Sequence, residues 1–269
     1  MATFFGEIVT TSSRVDADDD EEEDEKAEIV SPVLRWSPDV RAEIGLSKDE
    51  ILSCDNLLLA IGPAATGFVH TYVLGQEHEV IGVVVSGLKN KDSNSFHQTM
   101  HTDKTCFLYR LKSQPKTLVC QCNCQVSAEQ AFSWTEQLFR NLKNPSVTIL
   151  GSCQITEYKS HDPIQAPPFI KCLCSSEFKD KPVCAYLPQP NTVSELAAAV
   201  LNCCQVRGMP AVLYMAYLDS VHLEIASMKV FLPVLNNPQL KNILKVNTDA
   251  EITMKKLVEL DTTQNPLYI

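Results

Sequence analysis

The sequence predicts an α/β fold with a largely parallel sheet flanked by helices, preceded by a disordered acidic arm. Three observations predict it. Asn56-Leu57-Leu58-Leu59-Ala60-Ile61-Gly62 and Ala211-Val212-Leu213-Tyr214-Met215-Ala216-Tyr217 are continuous apolar runs, as expected of strands buried on both faces of a parallel sheet. Strand and helix signals alternate along the chain. Nine of the ten residues from Asp16 to Glu25 are acidic, a block that repels itself and buries nothing.

Residues 1–30 are therefore assigned to the arm, 31–260 to a single α/β domain and 261–269 to a flexible tail. Ile29 to Leu52 carries prolines at 32 and 38, and its Val40, Ile44 and Leu46 suit an edge strand or a short helix. The first apolar run ends at Gly62, and Pro63 to Leu74 follows with Ala64, Phe68, Val69 and Tyr72 as helical contacts. Strand, glycine turn and helix open a Rossmann-like unit. Glu79–Val85, Cys106–Leu111 and Thr117–Cys124 read as strands. Ser127 with Gln130 has the spacing of a capping box, and Phe132, Leu138, Phe139 and Leu142 give the helix after it an apolar side. Val147–Leu150 is the next strand, Thr156–Pro168 a polar loop, and residues 170–187 are irregular. Thr192 with Glu195 caps a helix over Leu196–Val206 that stops at Gly208. After the second apolar run, Met228–Leu235 and Leu240–Leu244 read as helices. Thr248 with Glu251 caps a last helix running to about Leu260.

Composition excludes several function classes. An apolar content of 45% over 269 residues can fill a real core. The net charge of −10 lies almost wholly in the acidic block, so the remainder is close to neutral and offers no basic stripe for nucleic acid. No apolar stretch is long enough to span a membrane. Met1-Ala2-Thr3-Phe4-Phe5-Gly6 lacks the basic and apolar regions of a signal peptide. Eleven cysteines without such a signal point to a reducing compartment, hence a cytoplasmic or nuclear protein.

No constellation supports catalysis, a cofactor or a metal. The turn Gly62-Pro63-Ala64-Ala65-Thr66-Gly67 has two glycines where a dinucleotide site needs three, and Pro63 removes an N–H that pyrophosphate would use. Cys120, Cys122 and Cys124 alternate and so share one sheet face, about 7 Å apart in succession. With Cys172 and Cys174 they lack the spacing of a zinc site, and read as small apolar residues packed under a helix. Cys203-Cys204 has the same reading. His97 and His101 are four apart but lack the glutamate of a zinc-protease helix, and are placed in a surface loop. No G-x-S-x-G elbow occurs.

The chain ends in Leu267-Tyr268-Ile269, apolar side chains around a tyrosine at a polar, proline-stopped end. This resembles the hydrophobic-Tyr-X (HbYX) tail of proteasome activators and assembly factors. The start Met1-Ala2-Thr3-Phe4-Phe5-Gly6-Glu7, the acidic tract, Leu118-Val119-Cys120-Gln121-Cys122-Asn123-Cys124 and Gln189-Pro190-Asn191 to Gln205 all resemble the proteasome assembly chaperones. The resemblance covers essentially the whole chain, apart from the loops Lys89–Lys104 and Thr156–Pro168.

The resemblance implies a non-enzymatic chaperone without cofactor. Its partners would be a second assembly chaperone, as a heterodimer, and the alpha subunits of the proteasome. Leu267, Tyr268 and Ile269 would be the partner-binding residues, docking between alpha subunits with the carboxylate on a pocket lysine. The implied fold is Rossmann-like, related to nucleoside phosphorylases but without their active site. The implied location is the cytoplasm or nucleus, or the cytosolic face of the endoplasmic reticulum. Two other classes compete: a nucleoside-binding or nucleosidase-like enzyme using the cleft at the strand ends, and a scaffold whose acidic arm holds a basic partner.

Overall fold

A computed structural model of the chain describes residues 31–46, 51–86, 104–160, 166–220, 222–241 and 249–264. The acidic arm, His97 and His101, Thr248 and the Leu267–Ile269 ending lie outside these described residues.

The chain opens with strand β1 (Val33–Trp36) and helix α1 (Pro38–Leu46). Pro38 begins α1, where its missing N–H costs nothing, and Val40 and Ile44 turn one buried face inward. Strand β2 (Asn56–Ile61) then passes through Gly62 into α2 (Pro63–Tyr72). Gly62 has φ +84, a conformation that disfavours any side chain at this turn. Strands β3 (His78–Ser86), β4 (Lys104–Leu111) and β5 (Gln114–Cys122) follow, then α3 (Ala128–Phe139) and β6 (Ser146–Gln154). Strand β7 (Phe169–Cys174), α4 (Glu195–Val206) and β8 (Ala211–Leu218) come next. The short helices α5 (Ile225–Lys229) and α6 (Pro238–Lys241) are separated by a 3-10 turn over Leu232–Asn236, and α7 (Ala250–Gln264) is the last element.

The eight strands form one sheet in the order β1-β3-β4-β5-β2-β6-β8-β7. The expected α/β layering is present, but the largely parallel sheet is not. The pairings β5-β2, β2-β6 and β6-β8 are parallel, whereas β1-β3, β3-β4, β4-β5 and β8-β7 are antiparallel. The cause is the length of the connections. A parallel neighbour needs a crossover of a dozen or more residues, and only Lys112 and Ser113 separate β4 from β5. Consecutive strand signals with no helix between them therefore make a hairpin.

Helices cover both faces. Leu57 and Leu59 of β2, Cys120 of β5, Ile149 of β6 and Leu213 of β8 face a core shared with α1, α3 and α4. Leu58, Ala60, Val119, Leu150 and Tyr214, the alternate positions, face α2, α5 and α7. Period-two alternation explains why these strands read as unbroken apolar runs: each face needs its own apolar set. Close approach is demanded at Gly67 of α2, where a Cβ would lie 2.7 Å from Met228 Sδ of α5.

Several local readings shift. Residues 170–187 contain the edge strand β7, paired antiparallel to β8, rather than only irregular chain. Ser194, not Thr192, precedes α4, and Glu195 takes φ +55. Ser127 does precede α3, but its hydroxyl donates to the side chain of Gln130 (3.3 Å) instead of the backbone. Cys124 lies beyond the end of β5, so only Cys120 and Cys122 of the trio share the strand. Helix α7 runs on through Asp261 to Gln264, into the stretch read as tail.

Candidate functional site

In open α/β sheets, ligands bind in the crevice at the carboxyl ends of the parallel strands. Here Ile61 ends β2, Cys122 ends β5, Gln154 ends β6 and Leu218 ends β8. Two adjoining cavities open at this rim. The larger, about 920 Å³, lies among Gly62, His70, Tyr109, Asn123, Leu257 and Asp261. The smaller, about 320 Å³, lies among Ser152, Glu157, Thr192, Glu195, Tyr217 and His222.

The polar groups at the first turn are already engaged. Pro63 supplies no N–H, and the Thr66 hydroxyl donates to the Gly62 and Pro63 carbonyls (2.9 and 3.1 Å). Gln121 Nε2 donates to the Thr66 carbonyl at 2.9 Å, stitching β5 to α2 beneath the crevice. The turn thus holds strand to helix.

Burial sets the protonation of the rim. It lowers His70, with the nearby His78 acting in the same direction, so the imidazole favours its neutral form. Burial likewise raises Tyr109, helped by Cys120, and raises Cys153 to about 12, helped by Glu157. These three side chains, held toward their neutral forms, suit hydrogen-bonding contacts at the rim. Among the described residues, no group of three or more His, Cys, Asp or Glu is placed to hold a metal ion.

The remaining wall belongs to α7. Ala250 and Met254 are buried against the second core, with Leu257 and Val258 packed beside them. Lys229 Nζ of α5 pairs with Glu251 Oε1 at 2.6 Å, fixing the start of α7. Asp261 Oδ2 accepts a bond from the Leu223 N–H at 3.4 Å, fixing its far end to the chain that leaves β8. Leu260 and Asp261 line the larger cavity. The last turn of α7 therefore begins at the rim of the crevice.

Leu267, Tyr268 and Ile269, the residues expected to bind a partner, lie outside the described residues. The crevice wall contributed by α7 was missed from sequence. Its signal was the i, i+3/i+4 series Ala250, Met254, Leu257, Asp261, which places Asp261 on the apolar side of a helix rather than in a tail.

Comparisons with known proteins agree with one another. The family model PAC1, described as Proteasome assembly chaperone 4, matches residues 1–269. Proteasome assembly chaperone 1 of Xenopus laevis is 38% identical over 290 residues, covering 100% of both chains. The human protein of the same name is 32% identical over 290 residues, covering 99% of each. Among solved structures, Pyrococcus furiosus PbaB, an archaeal proteasome activator, matches with TM-score 0.52 and 12% identity over 90% of this chain and 99% of that one. Pyrococcus furiosus PbaA, an archaeal homolog of proteasome-assembly chaperone, matches with TM-score 0.54 and 10% identity over 81% and 92%. At such identities the two structures speak for the fold alone.

Proposed function

Because the chain belongs to the proteasome assembly chaperone 1 family, we propose that it is a non-enzymatic chaperone of proteasome assembly. It pairs with a second assembly chaperone as a heterodimer, binds the outer face of the alpha ring, promotes correct ring assembly and discourages off-pathway association. The Leu267-Tyr268-Ile269 ending docks between neighbouring alpha subunits. The observation that carries this reading is the likeness to curated assembly chaperones along the entire chain. The anchoring of α7 at the crevice rim supports the docking role. Residues 265–269 can extend about 17 Å past that anchor.

Energetics limit what the ending can do. Burying Leu267 contributes about 1.5–3 kcal/mol. A carboxylate-lysine hydrogen bond adds about 1.5–3 kcal/mol. Against these, ordering each residue costs about 1–2 kcal/mol, and association costs several more. Alone, the ending binds no tighter than about millimolar, a free energy of about 4 kcal/mol. The domain surface must carry most of the affinity, while the short connector keeps the ending at high effective concentration.

Deleting residues 267–269 tests this. The truncated chain is expected to pair normally with its sister chaperone and to lose affinity for alpha rings in pull-down or calorimetric titration. Unchanged ring affinity would remove the ending from the mechanism.

A further inference from the structure

Cysteines collect at one corner of the sheet. Cys106 of β4 stands directly across from Cys122 of β5, and Cys120 and Cys122 both point into the core beneath α3. Cys124, past the end of β5, turns back so that its Sγ lies 3.6 Å from Cys106 Sγ. That is van der Waals contact between two sulfurs, about 1.6 Å longer than a disulfide bond. The residues are 18 apart in sequence, and the hairpin brings them together.

The two thiols differ in exposure. Cys106 is fully buried, whereas Cys124 is half-buried and lines the larger cavity, open to a small solute. They also differ from their neighbours in acidity. Hydrogen bonding from the Cys122 and Cys124 thiols draws Cys106 down, to about 5, so it holds thiolate character. Burial pushes Cys120 and Cys122 the other way, leaving them as neutral, poorly nucleophilic thiols. One buried thiolate therefore touches one accessible thiol at the mouth of the crevice.

We propose that Cys106 and Cys124 form a redox-active dithiol that closes to a disulfide in exchange with a low-molecular-weight disulfide of the glutathione class. The Cys106 thiolate takes the proton of the Cys124 thiol, and the Cys124 thiolate so formed attacks one sulfur of oxidised glutathione. A Cys124–glutathione bond forms and the first glutathione leaves as thiolate, which takes the proton back from Cys106. The Cys106 thiolate then attacks Cys124 Sγ. The Cys106–Cys124 bond forms and the second glutathione leaves as thiolate. Both protein sulfurs are oxidised, one glutathione disulfide is reduced to one thiol, which carries the pair's single proton, and one thiolate. The new bond ties β4 to the segment between β5 and α3, where Asn123, Gln125 and Val126 shape the crevice.

The test incubates the full-length chain with graded mixtures of reduced and oxidised glutathione, followed by alkylation and peptide mapping. The expected result is a Cys106–Cys124 linked peptide, reversed by dithiothreitol, with a change in tryptophan emission because Trp134 packs in the same cluster. Cys106→Ser is expected to stop at the Cys124–glutathione adduct. Should that buried variant fail to fold, Cys124→Ser at the half-exposed position is expected to lose the linked peptide and the emission change together. A map in which Cys106 joins Cys120 or Cys122 overturns the proposal. So does a wild-type chain that keeps glutathione on Cys124 without resolving it, or keeps Cys124 reduced while other cysteines oxidise.

Discussion

The four central strands and the flanking strands of this sheet obey different rules, and the difference shows what a sequence can disclose. Strands β5, β2, β6 and β8 run parallel, and the inner two are covered on both faces. In β2 the residues Leu57 to Ala60 are each at most 1% exposed. Strands β1 and β7 end the strand order, each antiparallel to one neighbouring strand and only partly covered, with β7 also bridged at Cys172 by the chain around Tyr186. A strand buried twice must be apolar at nearly every position, whereas an edge strand needs few apolar residues and can carry Arg35 or Lys171. Stability should therefore concentrate in the centre, and variants in the two regions can break or sharpen that contrast.

The largest separation is expected between Leu59→Ala in β2 and Leu34→Ala in β1. Leu59 is fully buried, so its truncation should leave a cavity and cost about 2–5 kcal/mol in urea denaturation. Leu34 is half-buried against the same core, and its loss should cost about 1 kcal/mol. Equal costs would mean that the edge is as tightly packed as the centre.

A smaller contrast involves glycines. Gly62→Ala forces a side chain into φ +84 at the β2–α2 turn and should destabilise by about 1–2 kcal/mol. Gly45 sits in α1 with nothing within 4 Å of an added Cβ, so Gly45→Ala should stabilise by about 0.5–1 kcal/mol. Melting temperatures moving in opposite directions would confirm that the centre is backbone-limited and the edge is not.

The smallest effect concerns pH. Burial pushes the Cys54 and Cys204 thiols up to about 12 from 9.0. A raised folded-state value means the neutral thiol is favoured by folding. That stability is fully present below pH 9 and is lost as pH rises from about 9 toward 12. Chemical denaturation midpoints should thus fall above pH 9, and Cys54→Ala should flatten part of the fall. An unchanged slope in that variant would assign the alkaline loss to other groups.

Much of the centre was legible. The runs at 56–62 and 211–217, the helix-starting Ser127 and the helix-stopping Gly208 (φ +63) all fall at or beside the ends of the elements read from them. The family resemblance, resting on the start, the acidic tract and the Leu118–Cys124 stretch, is matched along all 269 residues. The edges were only partly legible: Ile29 to Leu52 suited an edge strand or a short helix and holds β1 and α1, but the far edge did not show. Phe169–Cys174 offers one partly covered face and no clear alternation, so β7 looked irregular. Asp261 to Gln264 has no apolar residue, yet α7 continues through it because its earlier turns are already packed and Asp261 is bonded to Leu223.

By itself, then, the sequence determined which segments are helix or strand in the centre, where two glycines turn or stop the chain, and which family the chain belongs to. These are local or whole-chain patterns, fixed by side-chain period and backbone preference. Only the tertiary structure decided the strand order, the antiparallel flanks, the crevice wall made by α7 and the meeting of Cys106 with Cys124. Each of those depends on contacts between residues far apart in the chain, and hydrophobic periodicity carries no record of which partner lies across the sheet.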